Sequence, residues 1–251
     1  MKSTNKRFVP STGGTTTDRL ATARVPVNGV VARTQRLNIV AIEAALVAVQ
    51  REFPRINATL TARRDPLTDE VVANMLAGYR RVDDSLAEGV DLFMMGRSDR
   101  LLELNRIVLC GEDDRREKCS ARQLKITEEH FYADNGGGVG SLMEWLELHQ
   151  HATVWRRAAG VFARVLSQPQ LFLEGNHRTG ALLVSYLLAR EGLPPFVLTV
   201  DNARHFFEPA TMIKKSRKHG LDKLLRLPKM TKRLARLLED QADDHYLLRD
   251  H

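Results

Sequence analysis

Between Arg178 and Arg190 the chain carries Leu182, Leu183, Val184, Tyr186, Leu187, Leu188 and Ala189, with almost nothing polar among them. A helix that is apolar on every side has no face to give to water, so other elements must surround it. This one segment therefore demands a fold built around a buried central helix. Gly192, followed by Pro194 and Pro195, marks its stop, because Gly accepts the left-handed cap and Pro cannot continue a helix.

The rest of the chain supplies helices to surround it. Ile39, Ile42, Leu46 and Val49 form one stripe at three- and four-residue spacing. Thr68 stands as the cap of a second segment with Val71, Val72, Met75, Leu76 and Tyr79. Leu101, Leu102, Leu104, Ile107, Val108 and Leu109 mark a third. Val154, Ala158, Phe162 and Val165, with Trp155 and Leu166, mark a helix that leads into Gln170. With 16 Gly and 9 Pro in 251 residues, turn residues are too sparse for an all-β fold. The expected class is all-α, with room for one short hairpin.

The entry to the central helix has unusual chemistry. Phe172, Leu173, Glu174, Gly175, Asn176, His177, Arg178, Thr179 and Gly180 follow one another directly. The first amides of a helix lack internal partners and attract anions. Gly175 lets backbone approach a ligand closely. Arg178 can fork onto phosphate oxygens, Asn176 can add a neutral hydrogen bond, and Glu174 offers a hard oxygen to magnesium. These are the groups used in phosphoryl or nucleotidyl transfer, where positioning and charge stabilisation dominate.

This string resembles the core motif of Fic/Doc (Fido) domains, in which a His, a Phe, an acid, Gly, Asn and Arg recur at fixed spacing. The resemblance spans about residues 98–215. Arg122 to Thr127 falls where the family has its target-clamping β-hairpin flap. Val139 to Leu146 resembles the helix after the flap, and Gly192 to Leu198 the glycine, double-proline and apolar segment. The resemblance implies an all-α Fic/Doc-like bundle with a short β-hairpin flap, and transfer of AMP, or another phosphate-bearing group, to a Ser, Thr or Tyr hydroxyl of a target protein. It implies ATP as donor with Mg on Glu174. Gly175, Asn176 and His177 would bind the nucleotide through their backbone amides in an anion-binding loop, Arg178 would hold the phosphates with Thr179 beside it, and Phe172 would be the buried anchor. Three positions depart: His177 follows the Asn where the family has Gly, Ala181 stands for a later Arg, and Gln170 replaces the catalytic His. A glutamine amide cannot accept a proton near neutral pH, and general-base help is typically worth about 10²–10⁴-fold. His177 is the alternative base within the string. Asp84 to Gly89 is similar to the family's inhibitory motif, which would set Glu88 against the phosphate-binding arginine.

Charge is concentrated toward the ends. The net charge is +7, but residues 1–36 contribute +6 and residues 213–236 contribute +9, leaving −8 on the body. Residues 1–36 are also rich in Ser, Thr and Gly and read as a flexible basic arm. Such a composition also occurs in transit or secretion signals, although no apolar core of a signal peptide is present. Residues 213–251 read as basic C-terminal helices divided at Pro228. Their basic side suits a nucleic acid, an anionic surface, or docking on the acidic body. Between these ends, 37–97 read as N-terminal helices and 98–212 as the core. The Gly-rich stretch Asp134 to Gly140 lacks a Walker-type lysine and reads as a connection. Cys110 and Cys119 have no metal-type partners at useful spacing, and neither do His149 and His151. No stretch reaches the roughly 18 apolar residues of a membrane span. A cytoplasmic protein is expected.

Three function classes remain from the sequence: a Fic-like transferase with an atypical site, a nucleotide- or partner-binding module of the same fold without turnover, and a basic nucleic-acid or membrane adaptor.

Overall fold

The apolar segment forms the helix that the sequence requires, and it lies at the centre. In the computed structural model, residues 35–94, 96–112, 120–134, 137–218 and 225–248 are described. We label the α-helices in chain order: α1 (Ile39–Ala58), α2 (Asp69–Ala87), α3 (Asp99–Cys110), α4 (Ala121–Phe131), α5 (Val139–Leu148), α6 (Val154–Leu166), α7 (Asn176–Arg190), α8 (Ala203–Lys215) and α9 (Leu227–Asp240). Helix α7 is buried continuously from Thr179 to Ala189. Each of its leucines contributes about 2 kcal/mol by leaving water. It packs against α6, α2 and α3. Close approach needs small residues at the crossings. A Cβ on Gly78 of α2 would sit 2.3 Å from Leu182, and one on Gly180 of α7 would sit 3.0 Å from Phe162.

The caps form as the residue types dictate. Thr68 Oγ1 accepts from the Val71 amide at 3.3 Å and starts α2, with Asp69 and Glu70 favourably placed in the first turn. Asn38 caps α1 in the same way, its Oδ1 accepting from the Ala41 amide. Helix α9 opens with Pro228 in its first turn and turns Leu227, Met230, Leu234, Ala235 and Leu238 inward, against α6 and α8. The basic C-terminal region is thus docked through its apolar side, and Pro228 begins a helix there.

The fold is all-α with one small antiparallel pairing, between β1 (Arg36–Leu37) and β2 (Leu247–Leu248), in the register Arg36 to Leu248 and Leu37 to Leu247. A 3-10 turn, Asp244–Tyr246, precedes β2. The flap expected at Arg122 to Thr127 is not a hairpin: those residues lie in α4. The local reason is plain. Ser120 caps the segment by accepting from the Gln123 amide, no Gly, Pro or Asn interrupts 121–131, and Thr127 and Phe131 fall on one buried face. The segment expected to follow the flap does form a helix, α5.

The described residues belong to one compact unit. The line drawn at 97/98 falls between helices, and the one at 212/213 cuts through α8. Of the expected basic arm, residues 1–34 lie outside the described residues. Arg36, its last member, is fixed: it forms a bidentate pair with the buried Asp83 carboxylate, which also accepts from the Leu37 amide at 2.7 Å. Cys119 also lies outside the described residues. Among those described, no helix is long and apolar enough to cross a membrane.

Candidate anion-binding site at the start of the central helix

The loop joining α6 to α7 is held by its own backbone. The Gln168 amide donates to the Ser216 carbonyl at 2.8 Å, and the Lys218 amide donates to the Gln168 carbonyl at 2.7 Å. Phe172 is fully buried and stacks on Phe131 of α4, with ring centroids 5.3 Å apart and planes 10° apart. It is the anchor that the sequence leads one to expect.

The Asn176 side chain closes the loop on itself. Its Oδ1 accepts from the Phe172 amide at 2.9 Å and its Nδ2 donates to the Phe172 carbonyl at 2.7 Å. With the residue only 4% exposed, both ends of the amide are spent on closing the loop and none reaches toward a phosphate. Gly175 is the cap of α7 with φ of 74°, in the left-handed region. A Cβ there would come within 2.9 Å of Asn105 Nδ2. Asn105, on the inner side of α3, donates to the Glu174 carbonyl and to Thr179 Oγ1, both at 3.0 Å. Thr179 is fully buried, so its hydroxyl serves this bracket and not a nucleotide.

Arg178 turns toward α3. Its Nη1 donates to the Val108 carbonyl near the negative end of that helix. Burial lowers its pKa from the ordinary arginine value, and Glu174 and Glu70 oppose that shift. Glu174 is exposed. Glu88 is the exposed C-cap of α2 and acts on Arg100, so the carboxylates beside Arg178 are other ones.

Gln170 is half-buried, with its Nε2 donating to the Leu166 carbonyl at 3.1 Å. Its own carbonyl lies 2.9 Å from His130 Nε2. A carbonyl can only accept, so that nitrogen carries the hydrogen. A histidine does stand at this loop, brought there by α4 from 40 residues upstream.

His177 is the most informative member of the string. Its Nε2 is buried and, among the described residues, has no hydrogen-bond partner. It lines a cleft of about 620 Å³ together with Arg63, Arg64, Lys214, Lys215 and a single carboxylate residue, Asp65. Burial, and then the charges of Arg64 and Lys214, push the imidazole down to about 3. A ring that weakly basic stays neutral at pH 7 and makes a poor proton acceptor for catalysis. As a neutral hydrogen-bonding group facing cations, it suits an anion instead. Arg64 is fixed in place, donating from Nη2 to the Phe207 carbonyl at 3.1 Å and to Thr211 Oγ1 at 2.9 Å, with its guanidinium 4.4 Å above the Phe207 ring. Its buried Nε has no partner among the described residues.

The structure thus sorts the expected residues into two groups. Asn176, Arg178 and Thr179 spend side-chain groups on the loop and on α3, while His177 lines a cationic cleft. The cleft residues Arg63 and Arg64 were not singled out in the sequence, where they are only an adjacent pair between two helices. A polyphosphate fits this cleft by charge and by the unsatisfied polar atoms within it. Magnesium is commonly held by one or two carboxylates and the substrate's own phosphates, a role for which Glu174 is exposed. Among the described residues there is no cluster of three or more His, Cys, Asp or Glu side chains.

No protein-family model matches the chain, and no curated protein matches it.

Proposed function

We propose that this protein binds a nucleotide polyphosphate, ATP with Mg, at the start of α7, as a Fic-like protein that holds its nucleotide with little or no turnover. The observation that carries the reading is the unpartnered, buried His177 Nε2 in a cleft bordered by Arg63, Arg64, Lys214 and Lys215. Four cations against one carboxylate favour a ligand with several negative charges, and the ligand's charge would answer both orphaned nitrogens, His177 Nε2 and Arg64 Nε. Glu174 is the residue assigned to the metal.

Transfer of AMP would require a target hydroxyl to attack the α-phosphate, pyrophosphate to leave, and the hydroxyl proton to be taken up. Gln170 cannot take it, and its amide is already donating to the Leu166 carbonyl. Arg178 is committed to the Val108 carbonyl. Both facts favour retention over transfer. The basic C-terminal region supports the adaptor reading less well, because α9 is docked on α6 and α8 through its apolar side.

Calorimetric titration of the full chain with Mg-ATP tests this, alongside intact-mass measurement after prolonged incubation. Saturable binding is expected, weakened at least tenfold by Lys214→Glu with Lys215→Glu, and no added mass. An absence of binding would overturn the nucleotide reading. An AMP adduct on the unaltered chain would overturn retention. An adduct appearing only in Gln170→His would support the assignment of the missing base.

A further inference from the structure

Beside α6 lies a second basic cavity, which shares no lining residue with the cleft at His177. It has a volume of about 410 Å³, and α5, α6 and α9 contribute its walls. Arg156 and Arg164 reach it from α6, Lys232 from α9, and Lys218 from the segment after α8. Among the described residues no carboxylate lines it. The charge of Glu144 bears on Arg164 and partly offsets the lowering of its pKa by burial.

Two buried groups in this cavity lack the partners their chemistry calls for. Lys218 is 3% exposed, and among the described residues its Nζ donates only to the Gly137 carbonyl, at 3.2 Å. An ammonium that deep is ordinarily matched by a carboxylate, since burying an unpaired charge is costly. Burial, and then the Arg164 charge, push Lys218 down to about 7. Ser167 is fully buried, lines the same cavity, and its hydroxyl has no partner among the described residues. It is the C-cap of α6, so the backbone fixes its place.

One wall carries an aromatic stack. Trp145 stacks on His149, with centroids 4.2 Å apart, and Arg164 lies 6.0 Å over the same indole. Gly160 permits this arrangement, because a Cβ there would fall 1.8 Å from the indole. The guanidinium of Arg164 is therefore positioned by the ring beneath it.

We infer that the cavity between α5, α6 and α9 is a binding site for a small soluble molecule bearing a phosphate group, held by Lys218, Arg164, Arg156 and Lys232 with Ser167 supplying a hydroxyl. The volume suits a compact phosphate ester, since small-molecule sites commonly measure about 300–1,000 Å³. The anion would supply the missing counter-charge for Lys218 and the missing partner for Ser167, two independent vacancies filled by one group. This site does not depend on the nucleotide reading of the α7 cleft.

The test is calorimetric titration of inorganic pyrophosphate into the full chain carrying Lys214→Glu and Lys215→Glu, which removes two cations from the other cleft. Saturable uptake is expected, with affinity falling at least tenfold in Lys218→Met and in Arg164→Gln, and about threefold in Ser167→Ala on the scale of one hydrogen bond. Lys218→Met is expected to melt no lower than its parent, because it removes a buried charge. If it melts lower, Arg164→Gln and Ser167→Ala answer the same question. An absence of saturable uptake, or uptake unchanged in the cavity variants, overturns the inference.

Discussion

Replacing Asn176 with Ala separates two roles that the same residue type can fill. In the structure its amide closes a ring on Phe172, accepting from the amide at 2.9 Å and donating to the carbonyl at 2.7 Å. Phe172 is fully buried, so water cannot reach either group once the side chain is gone. An orphaned buried polar group costs about 1–3 kcal/mol, so the pair together costs about 2–6 kcal/mol. Alanine recovers only about half a kcal/mol through its better helix propensity. A net loss of about 3 kcal/mol is expected, which for a domain of this size lowers Tm by about 6–12 °C. Equilibrium urea unfolding measures it directly, and an unchanged m-value would confirm that the loss is in the native state. If Asn176→Ala unfolds within about 0.5 kcal/mol of the parent, a margin typical of surface substitutions, yet no longer binds Mg-ATP, then the side chain is a ligand and the bracing argument fails.

Two further changes probe the same region. His177 titrates near 3 in the folded protein, against about 6.5 when unfolded. Above pH 6.5 the ring is neutral in both states and contributes no pH dependence. Below it, the unfolded chain takes up a proton that the folded chain refuses, so stability falls by up to about 1.4 kcal/mol per pH unit. Between pH 7 and 5 the parent should therefore lose about 2 kcal/mol more than His177→Gln in urea unfolding, and parallel curves for the two would refute the burial argument. Gly175→Ala forces a side chain into φ of 74° and a Cβ against Asn105 Nδ2. Left-handed strain of about 1–2 kcal/mol and a displaced Asn105 bracket of about 1 kcal/mol give a loss of about 2–3 kcal/mol by the same assay. A substitution that leaves stability unchanged would show that the loop relaxes freely.

What could be read in advance depended on whether the controlling contact was local. The central helix was legible because seven apolar side chains leave no polar face, and Thr68 was legible as a cap because capping is settled within three residues. Arg122 to Thr127 was misread where a family resemblance outweighed a local signal: Ser120 and an uninterrupted run to Phe131 describe a helix. The site string drew attention to a loop whose side chains also brace the fold. Asn, Thr and Arg side chains satisfy backbone groups as readily as phosphates, and only the fold shows that Phe172, Asn105 and Val108 had taken them. Asn105, His130 and Arg64 were hidden for the opposite reason. Their roles arise from partners 69, 40 and 143 residues away, and nothing in the intervening sequence announces the pairing.

The pairing of β1 with β2 gives the body a peculiar mechanical character. Arg36 opposes Leu248, and the Asn38 amide and side chain continue the seam by donating to the Tyr246 and His245 carbonyls. A load applied through the backbone just outside Arg36 and Leu248 would peel this seam one link at a time and would not shear all its bonds together. The helical body would feel tension only after that zipper had opened. Joined by a short linker, the same two points would make the body a closed ring of chain, which could be reopened at the surface between other helices without parting any neighbours of α7.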